Sequence, residues 1–393
     1  MPPAVPPAEP TVAELLPTDA PRANLVGRVL DPELGPCVVL VDGTDCVDIT
    51  DLAPVVSALF ERPDVLEVLA AGRSSAGPSG ADRRLWSLDG LLAGTGARLL
   101  APIDLQVIKA AGVTFVRSLL ERVVEEWARG DASQAAQLRE RLGATVDLAA
   151  IRPGSAEAAR VKELLVSEGR WSQYLEVGIG PDPEIFTKAP VLSSVGCGQS
   201  VGVLARSSWN NPEPEAVLVV RSDGTPVGAT LGNDVNLRDF EGRSALLLGV
   251  AKDNNASCAI GPFVRVFDES FGLAELRTLD IELTVTGRDG FQLRGASSMK
   301  EISRDPLDLI QAAVGEHHQY PDGFVLFTGT VFTPTQDRSV PGAGFTHSVG
   351  DLVRVASPLL GTLWNTVEHA ETAPRWELGI WALVSNLRER GLL

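Results

Sequence analysis

Residues 211–220 read NPEPEAVLVV and residues 230–239 read TLGNDVNLRD. Between them stands Asp223-Gly224, a pair suited to a tight turn because such turns need residues that tolerate positive φ. Two apolar runs joined in this way predict an antiparallel hairpin. Alternate side chains on a strand share a face, so Glu213 and Glu215 point the same way. The return strand brings Asp234 back beyond Glu213, near the same end. Two acids at the mouth of an apolar run are also what a solvated strand edge carries. The third acid turns the reading toward a site, because three oxygen ligands from neighbouring strands suit a hard cation, Mg²⁺ or Mn²⁺. Zinc is disfavoured, since no His or Cys is placed to join them.

Outward from this hairpin the texture from Trp171 to about 370 is mainly β and antiparallel. A second hairpin is expected at Asp289-Gly290, between Leu283–Val285 and Phe291–Leu293. Upstream, helical spacing of apolar residues runs from Lys109 to Trp127, with Phe115, Leu119 and Val123 on one stripe. Further helices are expected over Ser133–Leu142, Ser155–Glu168, near Asp305–Gly315, and over Arg375–Arg390. Residues 1–22 hold seven prolines and read as a disordered or extended tail. Residues 23–104 read as a smaller N-terminal α/β domain, with a strand at Cys37–Val41, a helix over Asp51–Ala71 and a loop over Gly72–Arg84. The fold class is α+β.

Composition narrows the partners. Acids outnumber bases 51 to 34 in 393 residues, a net charge of −17. Such a surface repels phosphate backbones, so nucleic acid is excluded as a partner. With 44% hydrophobic and 22% charged residues, a packed globule is expected. Cys37, Cys46, Cys197 and Cys258 form no C-x-x-C pair and suit a reducing cytoplasm. The N-terminus has neither the basic start nor the apolar core of a signal segment, and no run reaches the length of a membrane span.

The residues after Asp234 carry a resemblance. Gly232-Asn-Asp-Val-Asn-Leu-Arg-Asp239, followed by Lys252 and Gly261-Pro262, resembles the central block of the fumarylacetoacetate hydrolase superfamily. Leu326-Phe-Thr-Gly-Thr330, His347-Ser-Val-Gly-Asp-Leu-Val353 and Leu360-Gly-Thr-Leu-Trp-Asn-Thr-Val367 resemble later segments of it. The resemblance covers roughly 105–370 and implies a rolled mixed β-sheet catalytic domain over 105–393. It also implies that Glu213, Glu215 and Asp234 hold the metal, that Lys252 supports a developing enolate, and that Thr330 holds the substrate carboxylate. Arg238 and Lys188 belong to segments that line the site in relatives. Such proteins are often homo-oligomers, dimers or tetramers.

One stretch departs from the hydrolase pattern. Where hydrolases carry G-L-N-Y-x-x-H-x-x-E, this chain reads Gly112-Val-Thr-Phe-Val-Arg-Ser-Leu-Leu-Glu121, with Ser118 in the place of the histidine. A serine hydroxyl is a poor general base, whereas a carboxylate of raised pKa can be a good one. The segments IKAAGVTF, FTKAPVLSSVG, SSWNNPEPE and GFVLFTGTVFTPTQDR are similar to the dehydratase branch, which acts on 2-keto-3-deoxy-pentonates. A metal chelating the C1 carboxylate and C2 ketone acidifies the C3 proton; a base removes it and the C4 hydroxyl leaves. The expected base is Glu121, with Ser118 bonding the substrate. The product is 2-oxoglutarate semialdehyde, in sugar-acid catabolism. The alternative is a carbon–carbon hydrolase or decarboxylase of a diketo or acylpyruvate acid, including an aldolase variant; a non-catalytic binding module fits the full ligand set less well.

Other residues read as ordinary. Glu316-His317-His318 is expected to face solvent, and His347 to lie at the surface or in the core. Cys197 and Cys258 are expected to pack. Gly196-Cys-Gly198 is too short a signal for a nucleotide. Trp364, Trp376 and Trp381 are expected in the core or an interface.

Overall fold

The computed structural model describes residues 9–73, 82–94, 96–135, 137, 151–338 and 344–393. Mixed sheets and helices make up the fold. Among the described residues the larger sheet has eleven strands. Its path runs Leu85–Ser87, Asp45–Asp48, Gly35–Asp42, Leu25–Asp31, Cys258–Val266, Pro226–Asp234, Pro214–Val220, Phe324–Phe327, Val107–Gly112 and Glu184–Ala189, with Arg98–Leu100 pairing off it. A second sheet of five strands runs Gln292–Ser298, Asp280–Thr286, Leu352–Ser357, Gly361–His369 and Ser200–Val203.

The expected hairpin forms. Pro214–Val220 pairs antiparallel with Pro226–Asp234, with Glu215 opposite Gly232. The run AVLVV is apolar throughout because the strand is covered on both faces. Ala216, Leu218 and Val220 join a core shared with the five-stranded sheet. Val217 and Val219 pack with Val56, Leu59, Phe60 and Leu69 of two short helices. The second hairpin, around Asp289-Gly290, also forms, with Thr286 opposite Gln292.

The strands of the segment 23–104 belong to the same sheet. Leu25–Asp31 is hydrogen-bonded to Gly35–Asp42 on one side, while Leu25 and Val26 pair with Arg265 and Val264. The helix expected over Asp51–Ala71 is two helices, Val56–Glu61 and Val65–Gly72. They part at Pro63, and Arg62 is extended because the residue before a proline is held out of the helical region. Asp104 caps the first, its carboxylate accepting from the backbone of Val56 and Ser57 at 2.7 and 3.0 Å. The loop expected over Gly72–Arg84 and the helix over Ser133–Leu142 lie largely outside the described residues.

Two further expectations are corrected. The helix read from Lys109 begins at Val116, and Val107–Gly112 is a strand. Its short apolar run suits either state; parallel pairing with Phe324–Phe327 and antiparallel pairing with Glu184–Ala189 decide for the sheet. The tail read over 1–22 is docked from Thr11 onward. Thr11 and Glu14 form a capping box, Leu15 is fully buried, and Asp19 meets Arg265 with two bonds of 2.7 Å. The other helices expected later in the chain form as Ala156–Ser167, Pro306–Ala313 and Ile380–Glu389. Among the described residues no helix is long and apolar enough to cross a membrane.

Candidate functional site

The hairpin register places the acids. Glu215 lies opposite Gly232, so Asp234, two residues on, shares the face of Glu213 and Glu215. The backbone N–H of Asp234 donates to Glu213 O at 3.0 Å, which locks the two ends together. All three carboxylates are buried, and one oxygen from each lies within 4.8 Å of the others. At that spacing each pair of ionised groups repels by about 3 kcal/mol at an effective dielectric constant of about 20, so cations must stand close by. Lys252 Nζ lies 2.5 Å from Glu213 Oε2 and 3.0 Å from Asp234 Oδ2. Lys188 Nζ lies 2.8 Å from Asp234 Oδ1, and Arg122 donates to Glu213.

These partners set the protonation states. Burial works against the charge of Asp234, but Lys188 and Lys252 outweigh it and hold the carboxyl below its usual range. Burial likewise opposes the charge of Lys252, yet Asp234, Glu213 and Glu241 raise its pKa. Glu215 accepts from the backbone N–H of Gly329 at 2.7 Å. Burial, together with Asp234 and Glu213, pushes its carboxyl well above the usual range. Gly329 adopts φ +99°, and a Cβ there would meet Thr114 Oγ1 at 1.9 Å, so the turn that presents this donor requires glycine.

The triad opens into a cavity whose charged lining is Glu184, Glu213, Glu215, Asp234, Glu241, Arg122 and Lys252, with Ser118, Phe186 and Thr330 also on its wall. Five carboxyl groups therefore face two cations, and Lys188 behind Asp234 adds a third. Fully ionised, this set carries two negative charges in excess, which one divalent cation balances. The donors are all oxygen and include neither His nor Cys. The residues fit Mg²⁺ or Mn²⁺.

Glu184 stands out on the wall. Burial, reinforced by Glu241, raises its carboxyl from the ordinary 4.5 to about 7. It lies opposite Gly112 in the sheet, and a Cβ on Gly112 would come within 1.9 Å of Glu184 Oε2. Glycine at 112 thus gives the carboxylate room against the neighbouring strand. Phe186 lies two residues along, with its ring centroid 5.8 Å from Lys252 Nζ.

The expected site residues divide. Ser118 and Thr330 line the cavity. Ser118 donates within its own helix to Phe115 O at 2.8 Å, and Thr330 to Phe332 O at 3.1 Å. Lys188 is fully buried behind Asp234 and also donates to the carbonyl of Val235 at 3.3 Å. Arg238 does not reach the cavity wall; its Nε lies 2.7 Å from Asn211 Oδ1 and 3.2 Å from Glu125 Oε1, and Nη2 donates to Pro334 O at 3.1 Å. Glu121 is half-buried and is not among the described lining residues; its charge acts on Arg238. The helical turn explains this. Arg122 sits about 40° around the axis from Ser118, whereas Glu121 sits about 60° away on the other side.

Glu184, Arg122 and Glu241 were not among the expected residues. The signal for Glu184 was the strand period: Glu184, Phe186 and Lys188 alternate on one face. No local pattern marked Arg122 or Glu241. His347 is buried, with Nδ1 3.5 Å from Asp351 Oδ2, and His317 and His318 are exposed, all three away from the cavity wall. The four cysteines are free and buried.

The family model described as fumarylacetoacetate (FAA) hydrolase C-terminal matches residues 225–368. A probable 2-keto-3-deoxyxylonate dehydratase of Haloferax volcanii is 32% identical over 213 residues, 54% of this chain and 68% of that protein. The chain belongs to the fumarylacetoacetate hydrolase family. A second member, the 2-dehydro-3-deoxy-D-arabinonate dehydratase of Saccharolobus solfataricus, is 31% identical over 186 residues. That match spans 47% of this chain and 59% of the relative, less than two thirds of its length. Among solved structures, 2-keto-3-deoxy-D-arabinonate dehydratase in its apo form superposes with a TM-score of 0.61 at 22% identity, covering 88% of this chain and 99% of that one. The same values hold for a structure of that enzyme complexed with magnesium and 2,5-dioxopentanoate. At such identity the likeness speaks for the fold.

Proposed function

We propose that this family member is a magnesium-dependent dehydratase that converts a 2-keto-3-deoxy-pentonate to 2-oxoglutarate semialdehyde. The observation that carries the reading is the buried triad of Glu213, Glu215 and Asp234, opening into a cavity with a carboxyl poised near neutrality. Two dehydratases of 2-keto-3-deoxy sugar acids among the relatives, and a solved neighbour holding magnesium with 2,5-dioxopentanoate, support the substrate class. A divalent cation held by the triad supplies Lewis-acid polarisation of the 2-keto acid, which acidifies the C3 proton.

The chain's own groups divide the remaining work. Glu184, with its raised carboxyl, removes the C3 proton and returns a proton to the departing C4 hydroxyl. We assign it this role in place of the expected Glu121 because it lies on the cavity wall. Lys252, kept charged by its carboxylate neighbours, stabilises the negative charge that develops at C2. Thr330 and Ser118 offer hydroxyls to the substrate carboxylate and chain, while Lys188 and Arg238 act from behind by holding Asp234 and Asn211. Loss of water leaves a C3–C4 double bond conjugated with the C2 ketone; transfer of a proton from C5 to C3 gives the C4–C5 enol, which tautomerises to the aldehyde.

The absence of histidine from the described lining counts against the acylpyruvate hydrolase alternative, whose pattern uses that residue to activate water, and is less telling against decarboxylation. The same reading includes a cytoplasmic location, supported by four free cysteines, and a homo-oligomer. Exposed Trp376, Ile380 and Trp381 supply the apolar surface that such a contact would cover.

The test is direct. Purified protein is incubated with 2-keto-3-deoxy-arabinonate or -xylonate, with Mg²⁺ and then with chelator. A five-carbon semialdehyde that forms only with the metal is the expected product. Pyruvate, or turnover indifferent to chelation, refutes the reading.

A further inference from the structure

Arg122, like Glu241, is a charged group on the cavity wall to which the proposed reaction gives no task. It projects from the helix Val116–Trp127 and is 5% exposed. Its guanidinium meets three carboxylates. Nη1 lies 2.7 Å from Glu125 Oε2 and 2.9 Å from Glu241 Oε2, and Nη2 donates to Glu213 Oε1. The other oxygen of Glu213 accepts from Lys252 at 2.5 Å. Both oxygens of one triad carboxylate are thus engaged by cations.

The two cations differ in their remaining partners. Lys252 bonds also to Asp234, itself a member of the triad. Arg122 bonds to Glu125 and Glu241, which lie outside it. A guanidinium with two carboxylates of its own can release Glu213 without being left unpaired in a buried setting, where an unpaired charge is costly. It nevertheless stays beside the triad. A positive charge held there acts across a water-poor gap that salt screens little, and it opposes any second cation on the same carboxylates. Glu241 offsets that opposition, since it draws on Nη1 of the same guanidinium and carries the opposite charge.

We propose that the Arg122–Glu241 pair sets how tightly Glu213, Glu215 and Asp234 hold their divalent cation: Arg122 competes for Glu213, and Glu241 restrains Arg122. This rests on the metal-dependent reading above and deepens it, because it assigns opposite effects to the two halves of one ion pair.

The test is Mn²⁺ binding to the full-length protein at one fixed pH, by calorimetry and by the electron paramagnetic resonance of free Mn²⁺. Melting temperatures with and without the ion are taken alongside. Arg122→Gln is expected to bind Mn²⁺ about tenfold more tightly or better, and Glu241→Gln about tenfold more weakly, with the double variant returning toward wild type. Arg122→Lys, which keeps the charge, stays nearer wild type than Arg122→Gln. The rise in melting temperature on adding Mn²⁺ should be larger in Arg122→Gln than in wild type. A purely structural role would shift both single variants the same way or neither, and either result overturns the proposal. If Arg122→Gln does not fold, Glu241→Gln decides alone: unchanged or tighter binding refutes the competition. A wild-type protein that binds no Mn²⁺ sinks the metal-dependent reading and this inference together, whereas wild-type binding with indifferent variants sinks this inference only.

Discussion

Replacing Glu184 by Gln asks which carboxyl moves the proton, and the structure sets the scale of the answer. Burial, with Glu241 nearby, moves the Glu184 carboxyl from the ordinary 4.5 to about 7. At about 1.4 kcal/mol per pH unit, that difference corresponds to about 3 kcal/mol. In the unfolded chain the group ionises near its ordinary value, and in the folded protein only near neutrality. Between the two the folded state holds a proton that the unfolded state has lost, so stability falls as pH rises through this window. Glutamine never ionises. The Glu184→Gln protein should therefore match wild type on the acid side and exceed it by up to about 3 kcal/mol above neutral pH, as read by urea unfolding across the window. Turnover should move the other way. Loss of a positioned acid–base group costs about 10²- to 10⁴-fold in kcat, measured by trapping the semialdehyde as a hydrazone, while Mn²⁺ binding persists. Glu121→Gln should leave turnover near the wild-type value. If Glu184→Gln kept kcat within about tenfold of wild type, or if the stability gap did not open with pH, the assignment of the proton to Glu184 would be wrong.

Gly112→Ala places a methyl 1.9 Å from Glu184 Oε2 and should displace that carboxylate. The expected result is a loss of turnover with Mn²⁺ affinity retained; equal loss of both would point to a general collapse of the cavity. Leu15→Ala removes a fully buried side chain from the docked N-terminal segment and should lower unfolding stability by about 2–5 kcal/mol, read from the urea midpoint. An unchanged midpoint would mean that the segment contributes nothing to the fold.

Much of the site was legible along the chain because it is built on a hairpin. A turn pair and a period of two are local properties, and together they carry Glu213, Glu215 and Asp234 to one face. The later segment Leu326–Thr330 pointed to Thr330 and the motif block after Asp234 to Lys252, and both stand at the cavity. The same block pointed to Arg238, which instead bonds Asn211 behind the wall. Glu121 was read from the hydrolase pattern, and a pattern along a helix does not say which side of the stripe faces inward. Glu184 was accessible in principle, four residues before Lys188 on one strand. Arg122 and Glu241 were not, since 119 residues separate the ends of that buried ion pair.

Alternation and turns depend on near neighbours, so the two hairpins and the acidic character of the site follow from the chain read in order. The sheet partners of Val107–Gly112, the docking of Leu15 and the raised carboxyl of Glu184 depend on contacts between segments far apart in sequence. Burial and charge at a point are sums over everything packed around it, and that sum exists only once the sheets have closed.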